Sequence, residues 1–197
     1  MLKKSFFKTL LMGGLMFALV QGTFAQKTAD ELKAERQELQ TEMKAKKAVE
    51  RTKKMEKLVS QGQPAATGVS SVDLLATSAT ALLKTTTANN EFLSTFKRTV
   101  TDNGGGEVDI TTEKAKLDDY LKLAVSIGEQ AAKVALEAQK VQKIKDEIKS
   151  LSPTQAMPAT KAVTYASDAL DVSGSELQLQ LKLVNNLIET IKSSKNY

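Results

Sequence analysis

Apolar residues recur three and four positions apart over long stretches of this chain, the period of an α-helix that turns one side toward a core. The first such stretch opens at Thr28, where Thr28 and Glu31 fit a capping box, and runs to about Ser60. Its apolar positions are sparse. Leu32, Leu39 and Met43 fall on one side, whereas Ala45, Ala48, Thr52 and Val59 fall on nearly the opposite side. The stripe therefore slips phase around Met43–Ala45, which predicts either a bend or two halves with different neighbours. A second helix, starting near Ser70 or Ser71, carries Val72, Leu75, Ala79, Leu82, Leu83 and Leu93, with Phe92 and Phe96 near its end. A third runs from Thr111 or Thr112 to about Ser150 and has three apolar sides. Small residues from Leu117 to Ala138 form one, Tyr120, Leu123, Ile127, Val134, Val141, Ile144 and Ile148 another, and Val125, Ala132 and Leu136 the third. So broad an arc calls for at least two packing neighbours. The small side would allow close approach of one of them.

A fourth helix spans roughly Pro158 to Lys195, with Val163, Ala166, Leu170, Leu177, Leu181, Val184, Ile188 and Ile191 on one stripe and Leu179, Leu183 and Leu187 on a second. Within it, "ELQLQLKLV" at Glu176–Val184 alternates apolar and polar residues as a strand does. Its Leu, Gln, Glu and Lys content favours helix, and no strand partner is evident elsewhere. Gly- and Pro-bearing segments separate the helices: Gln61–Gly68, Asp102–Asp109 and Ser152–Thr160. The Thr-rich patch Thr85–Asn90 lowers helix propensity in mid-element, marking either a kink or a polar contact to a neighbour. The sum is an all-α fold. It reads as an elongated, coiled-coil-like antiparallel bundle of three to four long helices, with the sparse N-terminal helix partly projecting. The domain reading is a leader at 1–25, a charged N-terminal helix at 26–60, a linker at 61–70 and a bundle at 71–197.

The leader changes the electrostatic picture. Lys3, Lys4 and Lys8 precede an uncharged apolar run, Leu10–Val20, and a polar segment ending Thr23-Phe24-Ala25, the layout of a secretory signal peptide cut after Ala25. The run is about half the roughly 20 residues a helix needs to span a bilayer, and no second long apolar run follows, so the mature chain is expected to lack a transmembrane segment. The periplasm or the exterior is the expected location, with no cysteine for a lipid anchor. The full chain has 28 basic and 23 acidic residues; without the three leader lysines the balance is 25 to 23, a net +2. Nucleic acid is an unlikely partner for so nearly neutral an exported chain.

Composition removes whole classes of chemistry. With no Cys and no His, the usual zinc sites and the Ser-His and Cys-His nucleophile pairs cannot be built. Carboxylate pairs such as Asp118-Asp119 and Asp146-Glu147 are adjacent on a helix and read as solvated charge. The segment "DNGGGEVD" offers oxygen donors but lacks the spacing of a calcium loop, and no strand or Gly-Lys-Ser/Thr makes it a phosphate loop. No enzyme activity, metal or cofactor is implied. What stands out is the basic run "KAKKAVERTKKMEK". Lys44, Lys46, Lys47, Arg51, Lys53, Lys54 and Lys57 occupy one half of a helical wheel and a small-residue face the other. That is either a solvated face, with Glu42–Lys46, Lys46–Glu50 and Glu50–Lys54 as supporting pairs, or a contact for an anionic envelope surface. No aromatics interleave for stacking on single-stranded nucleic acid.

An exported, non-enzymatic helical bundle working by protein–protein contact in the bacterial cell envelope, as scaffold or assembly factor, is the expectation, with homo-oligomerisation open. Over the leader and first helix the layout is loosely similar to the Skp family of periplasmic holdase chaperones. It departs from that family in reading as helix at "QKTADELKAE", where a strand would begin, so no residue is carried over. A minor periplasmic subunit of a conjugation or secretion channel is the third reading.

Overall fold

The structure, a computed structural model, describes residues 27–101 and 117–193. The leader with its cut after Ala25, the Asp102–Asp109 turn, the helix start at Thr111 or Thr112 and Lys195 lie outside the described residues. Among the described residues there are five helices and no strand: α1 (Ala29–Lys44), α2 (Lys46–Gln61), α3 (Ser70–Thr101), α4 (Leu117–Ile148) and α5 (Pro153–Ser193).

The first predicted helix is two. Ala45 is extended (φ −60°, ψ 145°), and α2 begins after it without a side-chain cap. Alanine is the best helix former, so local preference does not cause the break; the two seats do. Leu32 and Leu39 are buried from α1, as the first side of the stripe predicts; from α2 the buried residues are Ala48, Met55 and Leu58, whereas Ala45, Thr52 and Val59 of the predicted second side are exposed, so that side is corrected. The backbone loses little at the joint. Ala45 N–H still donates to the Thr41 and Glu42 carbonyls, and the Ala45 carbonyl accepts from Ala48 and Val49. The N-terminal helix, expected to project in part, docks in both halves: each lies on α5, and α2 also touches α3. The sparse stripe suffices for α1 because polar side chains complete its seat.

The start of α1 is the capping box read from the sequence. Thr28 Oγ1 accepts from Glu31 N–H at 3.2 Å, and Glu31 Oε2 accepts from Thr28 N–H at 2.8 Å. At the other end of the arm, Gly62 terminates α2 with φ +69°, a conformation other residues rarely adopt. The linker then folds back on α3. Asp73 accepts from Thr67 N–H and Oγ1 and from Gly68 N–H at 2.7–3.1 Å, and the backbone bond from Thr67 leads in holding its carboxyl below the ordinary aspartate range.

The long last helix starts earlier than expected, at Pro153 rather than Pro158. Proline suits a first helical position because its missing N–H would be unbonded there anyway. Ser152 precedes it, and its carbonyl accepts from Gln155 and Ala156. Pro158 sits inside the second turn, at the loss of one helical hydrogen bond. Glu176–Val184 is helical. Its strand-like alternation arises because α5 is buried on two sides: Leu177, Gln180 and Val184 face one, Leu179 and Leu183 the other.

α3, α4 and α5 pack mutually and hold the main core, which includes Leu75, Leu83, Tyr120, Ile127, Leu170, Leu177 and Val184. The large apolar side of α4 is the buried one. Gly128, on its small side, is buried as well. Gly174 of α5 lies against Val134, whose Cγ1 would stand 3.2 Å from any added Cβ. In the middle of this core is an amide cluster. Gln180 Nε2 donates to the Thr86 carbonyl and to Asn90 Oδ1 (both 2.8 Å), and Asn89 Nδ2 donates to Gln130 Oε1 (3.0 Å) and Gln180 Oε1 (3.2 Å). The Thr-rich patch therefore makes a polar contact and no break: α3 is continuous, and Thr85, Thr86 and Thr87 bond carbonyls one turn back.

Contacts fix which helices run together. Along α5, Asp168 meets Lys54, Glu176 meets Arg51, Lys182 meets Glu42 and Asn186 meets Arg36, so numbers rise on α5 as they fall on α1–α2. Ser71 meets Glu147 and Asn89 meets Gln130, the same inverse relation between α3 and α4. Thr80 meets Tyr165 and Asn90 meets Gln180, a direct relation between α3 and α5.

Candidate functional site

The basic run divides. Arg51 turns inward and donates to Glu176 at 2.6 Å, in a pair whose side chains are only 18% and 8% exposed. Lys54 reaches Asp168, also at 2.6 Å, though both of those groups are largely in water. Two of the seven cations thus find an acidic partner on α5. Lys44, Lys46, Lys47, Lys53 and Lys57 are exposed. The helix-supporting pairs read from sequence are mostly redirected. Lys46–Glu50 persists at 3.9 Å, but Glu42 pairs with Lys182 and Lys54 with Asp168, because the joint at Ala45 and the proximity of α5 offer other partners.

α1 is seated by a second polar set, around Asn186. Arg36 lies in the apolar stripe between Leu32 and Leu39. Its Nε donates to Asn186 Oδ1 at 3.1 Å and its Nη2 to Thr190 Oγ1 at 2.6 Å. Asn186 Nδ2 donates to the Leu32 carbonyl and to Glu35 Oε2. Lys27 bridges Glu35 and Glu189 at 3.0 and 3.1 Å. Burial alone pushes the Glu35 carboxyl up, but the bonds from Asn186 and Lys27 outweigh it and leave it below the ordinary range. Burial likewise opposes the charge on Lys27, and its two carboxylates prevail and raise it. Leu39, Leu179 and Leu183, with Met43 against them, form a small apolar cluster apart from the main core. The sequence displayed the stripe Leu32–Leu39–Met43; helical spacing places Arg36 on the same side, but its charge left it out of an apolar pattern.

The third candidate is the outward side of α4. Leu121, Val125 and Leu136 are 37%, 57% and 58% exposed and share one helical face with Ala132, also exposed. From Leu121 to Leu136 the stripe is about 22 Å long. It follows the third apolar side read from the sequence. α4 has the two neighbours expected, α3 and α5, and among the described residues they leave this side bare. Two open depressions lie along it. One of about 420 Å³ is lined by Leu121, Lys122, Val125, Ser126 and Glu129, and one of about 370 Å³ by Lys133, Leu136, Glu137, Gln139, Lys140 and Lys143.

The carboxylate pairs are exposed surface charge. Asp146 bonds Lys149 and Gln142, with the Lys149 bond leading in depressing its pKa, and Glu147 accepts from Ser71. Among the described residues no three acidic side chains gather as a metal site would need, and no helix is long and apolar enough to cross a membrane. Comparison with family models, with curated proteins and with solved structures finds no match to this chain.

Proposed function

We propose that this chain is an exported helical-bundle protein without catalytic activity that works by protein–protein contact in the bacterial cell envelope, as a scaffold or assembly factor. In this reading the molecule is an elongated bundle whose consecutive rods alternate in direction, with the α1–α2 arm docked as the fourth rod. The observation that carries the reading is the bare apolar side of α4. Most large apolar side chains in the bundle are buried, and contiguous exposed ones mark contact surfaces more often than scattered ones do. The export half of the proposal rests on the leader at residues 1–25.

Two measurements test the halves separately. Fractionation of the native host should find the chain in the envelope or medium, beginning at Gln26; retention in the cytosol would remove the export half. Photo-cross-linking from position 129, between the exposed side chains, should give adducts in envelope extract. The double substitution Val125→Glu with Leu136→Glu should abolish them without changing the circular dichroism spectrum. Adducts that survive that change would mean α4 is not the contact surface.

A further inference from the structure

Besides its bare apolar stripe, α4 carries charge sorted along its length. In the N-terminal half Asp118, Asp119 and Glu129 stand against Lys122, three acidic residues to one basic. In the C-terminal half Lys133, Lys140 and Lys143 stand against Glu137, three basic residues to one acidic. All of these but the half-buried Glu137 are exposed. A helix charged in this way is complementary to itself when turned end for end. Two copies side by side in the same direction would set like charge against like. The stripe has the same symmetry: Leu121 and Leu136 stand at its ends, with Val125 and Ala132 four residues inside each.

We propose that the occupant of this side is a second copy of the chain, its α4 running antiparallel about a two-fold axis at residues 128–129. The inference rests on the reading of α4 as a contact surface and supplies the partner. A two-fold contact uses one patch twice, so it requires a patch whose two halves match each other. With Leu121 of one copy level with Leu136 of the other, Val125 meets Ala132. The hollow bounded by Leu121 and Val125 then receives Leu136 of the other copy. In the same register Asp118 of each copy comes level with Gln139 and Lys140 of the other. The two Glu129 meet at the axis with Lys133 of each copy one turn away, which offsets their repulsion. A contact only about 22 Å long lies at the small end of specific interfaces, so the dimer dissociates on dilution.

The test is sedimentation of the chain as purified from its host, over a range of concentrations. Dimer should build up with concentration and be lost on the double substitution Val125→Glu with Leu136→Glu, at an unchanged circular dichroism spectrum. Asp118→Lys and Lys140→Glu should each weaken the dimer about fivefold, as two exposed ion pairs would, and the chain carrying both should recover most of that loss. The chain has no cysteine, so single thiols report the orientation. Under mild oxidation Glu129→Cys should cross-link to itself, and Leu121→Cys should cross-link to Leu136→Cys in a mixture in preference to itself. A monomer at every concentration up to about 1 mM would overturn the proposal. So would preferential pairing of Leu121→Cys with itself, or a double charge exchange that binds no tighter than either single change. If the purified chain stays monomeric while position 129 still gives adducts in envelope extract, α4 contacts a different protein, and the second copy falls while the contact surface stands.

Discussion

The α3–α4–α5 core and the α1–α2 arm solve the same problem, covering α5, by different means. The core interlocks large side chains on three sides, with Tyr120, Leu83, Ile127, Leu170 and Leu177 buried. Its central amide cluster, Asn89–Gln130–Gln180, is satisfied from within. The arm has fewer apolar anchors and relies on directional partners: Arg51–Glu176, Arg36–Asn186 and Lys27–Glu189. Apolar packing tolerates sliding unless shape forbids it, whereas paired polar groups fix position at the expense of desolvation. The two regions should therefore respond differently to the same kinds of damage.

The largest contrast is expected from Leu177→Ala. Removing a fully buried leucine side chain from the core should cost about 3 kcal/mol and lower the urea midpoint of the cooperative transition for all three core helices together. A transition that splits, with α5 melting separately from α4, would break the view of the core as one unit. Next comes Gln180→Leu, which removes the donor to the Thr86 carbonyl and to Asn90 Oδ1 and one of the two acceptors of Asn89. It should cost roughly 2 kcal/mol in the same measurement, despite adding apolar volume. An unchanged midpoint would show that the cluster is dispensable to stability. Thr28→Ala removes the cap of α1 and should cost about 1 kcal/mol, seen as faster exchange in α1 with the core midpoint unmoved.

The smallest effect is pH-dependent. The carboxyls of Glu31, Glu35 and Asp73 are held below their ordinary values: Glu31 chiefly by the Thr28 N–H, Glu35 by Asn186 and Lys27 against burial, and Asp73 chiefly by the Thr67 N–H. A depressed folded pKa contributes stability that is complete above the ordinary carboxylate values, about 4.3 for Glu and 3.9 for Asp, and is lost as pH falls through the lowered ones. Acidification below about pH 4 should thus loosen α1 and the 62–69 linker before α3–α5, followed by backbone amide signals across a pH series. Core signals moving first would reverse the comparison.

How much of this was legible depended on whether one residue's pattern could report its neighbours. The phase slip at Met43–Ala45 was visible because alternation of sides is a property of a single helix, and it marked the joint. Alanine at position 45 gave no sign of the break itself, since what extends it is the placement of two separate seats on α5. The alternation in Glu176–Val184 was ambiguous because a helix buried on two sides and a strand buried on one can share a short pattern. Gln180 looked solvent-facing until its partners on α3 were in place. The bare side of α4 was present in the sequence as Val125, Ala132 and Leu136, but only the packing of the other helices could reveal that none was left to cover it.

Every other described helix leans on α5, and α5 follows all of them in sequence. A chain threaded through a membrane in order would deliver four rods before the one that joins them. Until the last rod arrives, the earlier ones lack their common partner and the closing contacts span more than a hundred residues, as Arg36 with Asn186 does. For a chain so threaded, closure would wait until passage was nearly finished, and the polymer would stay threadable until then.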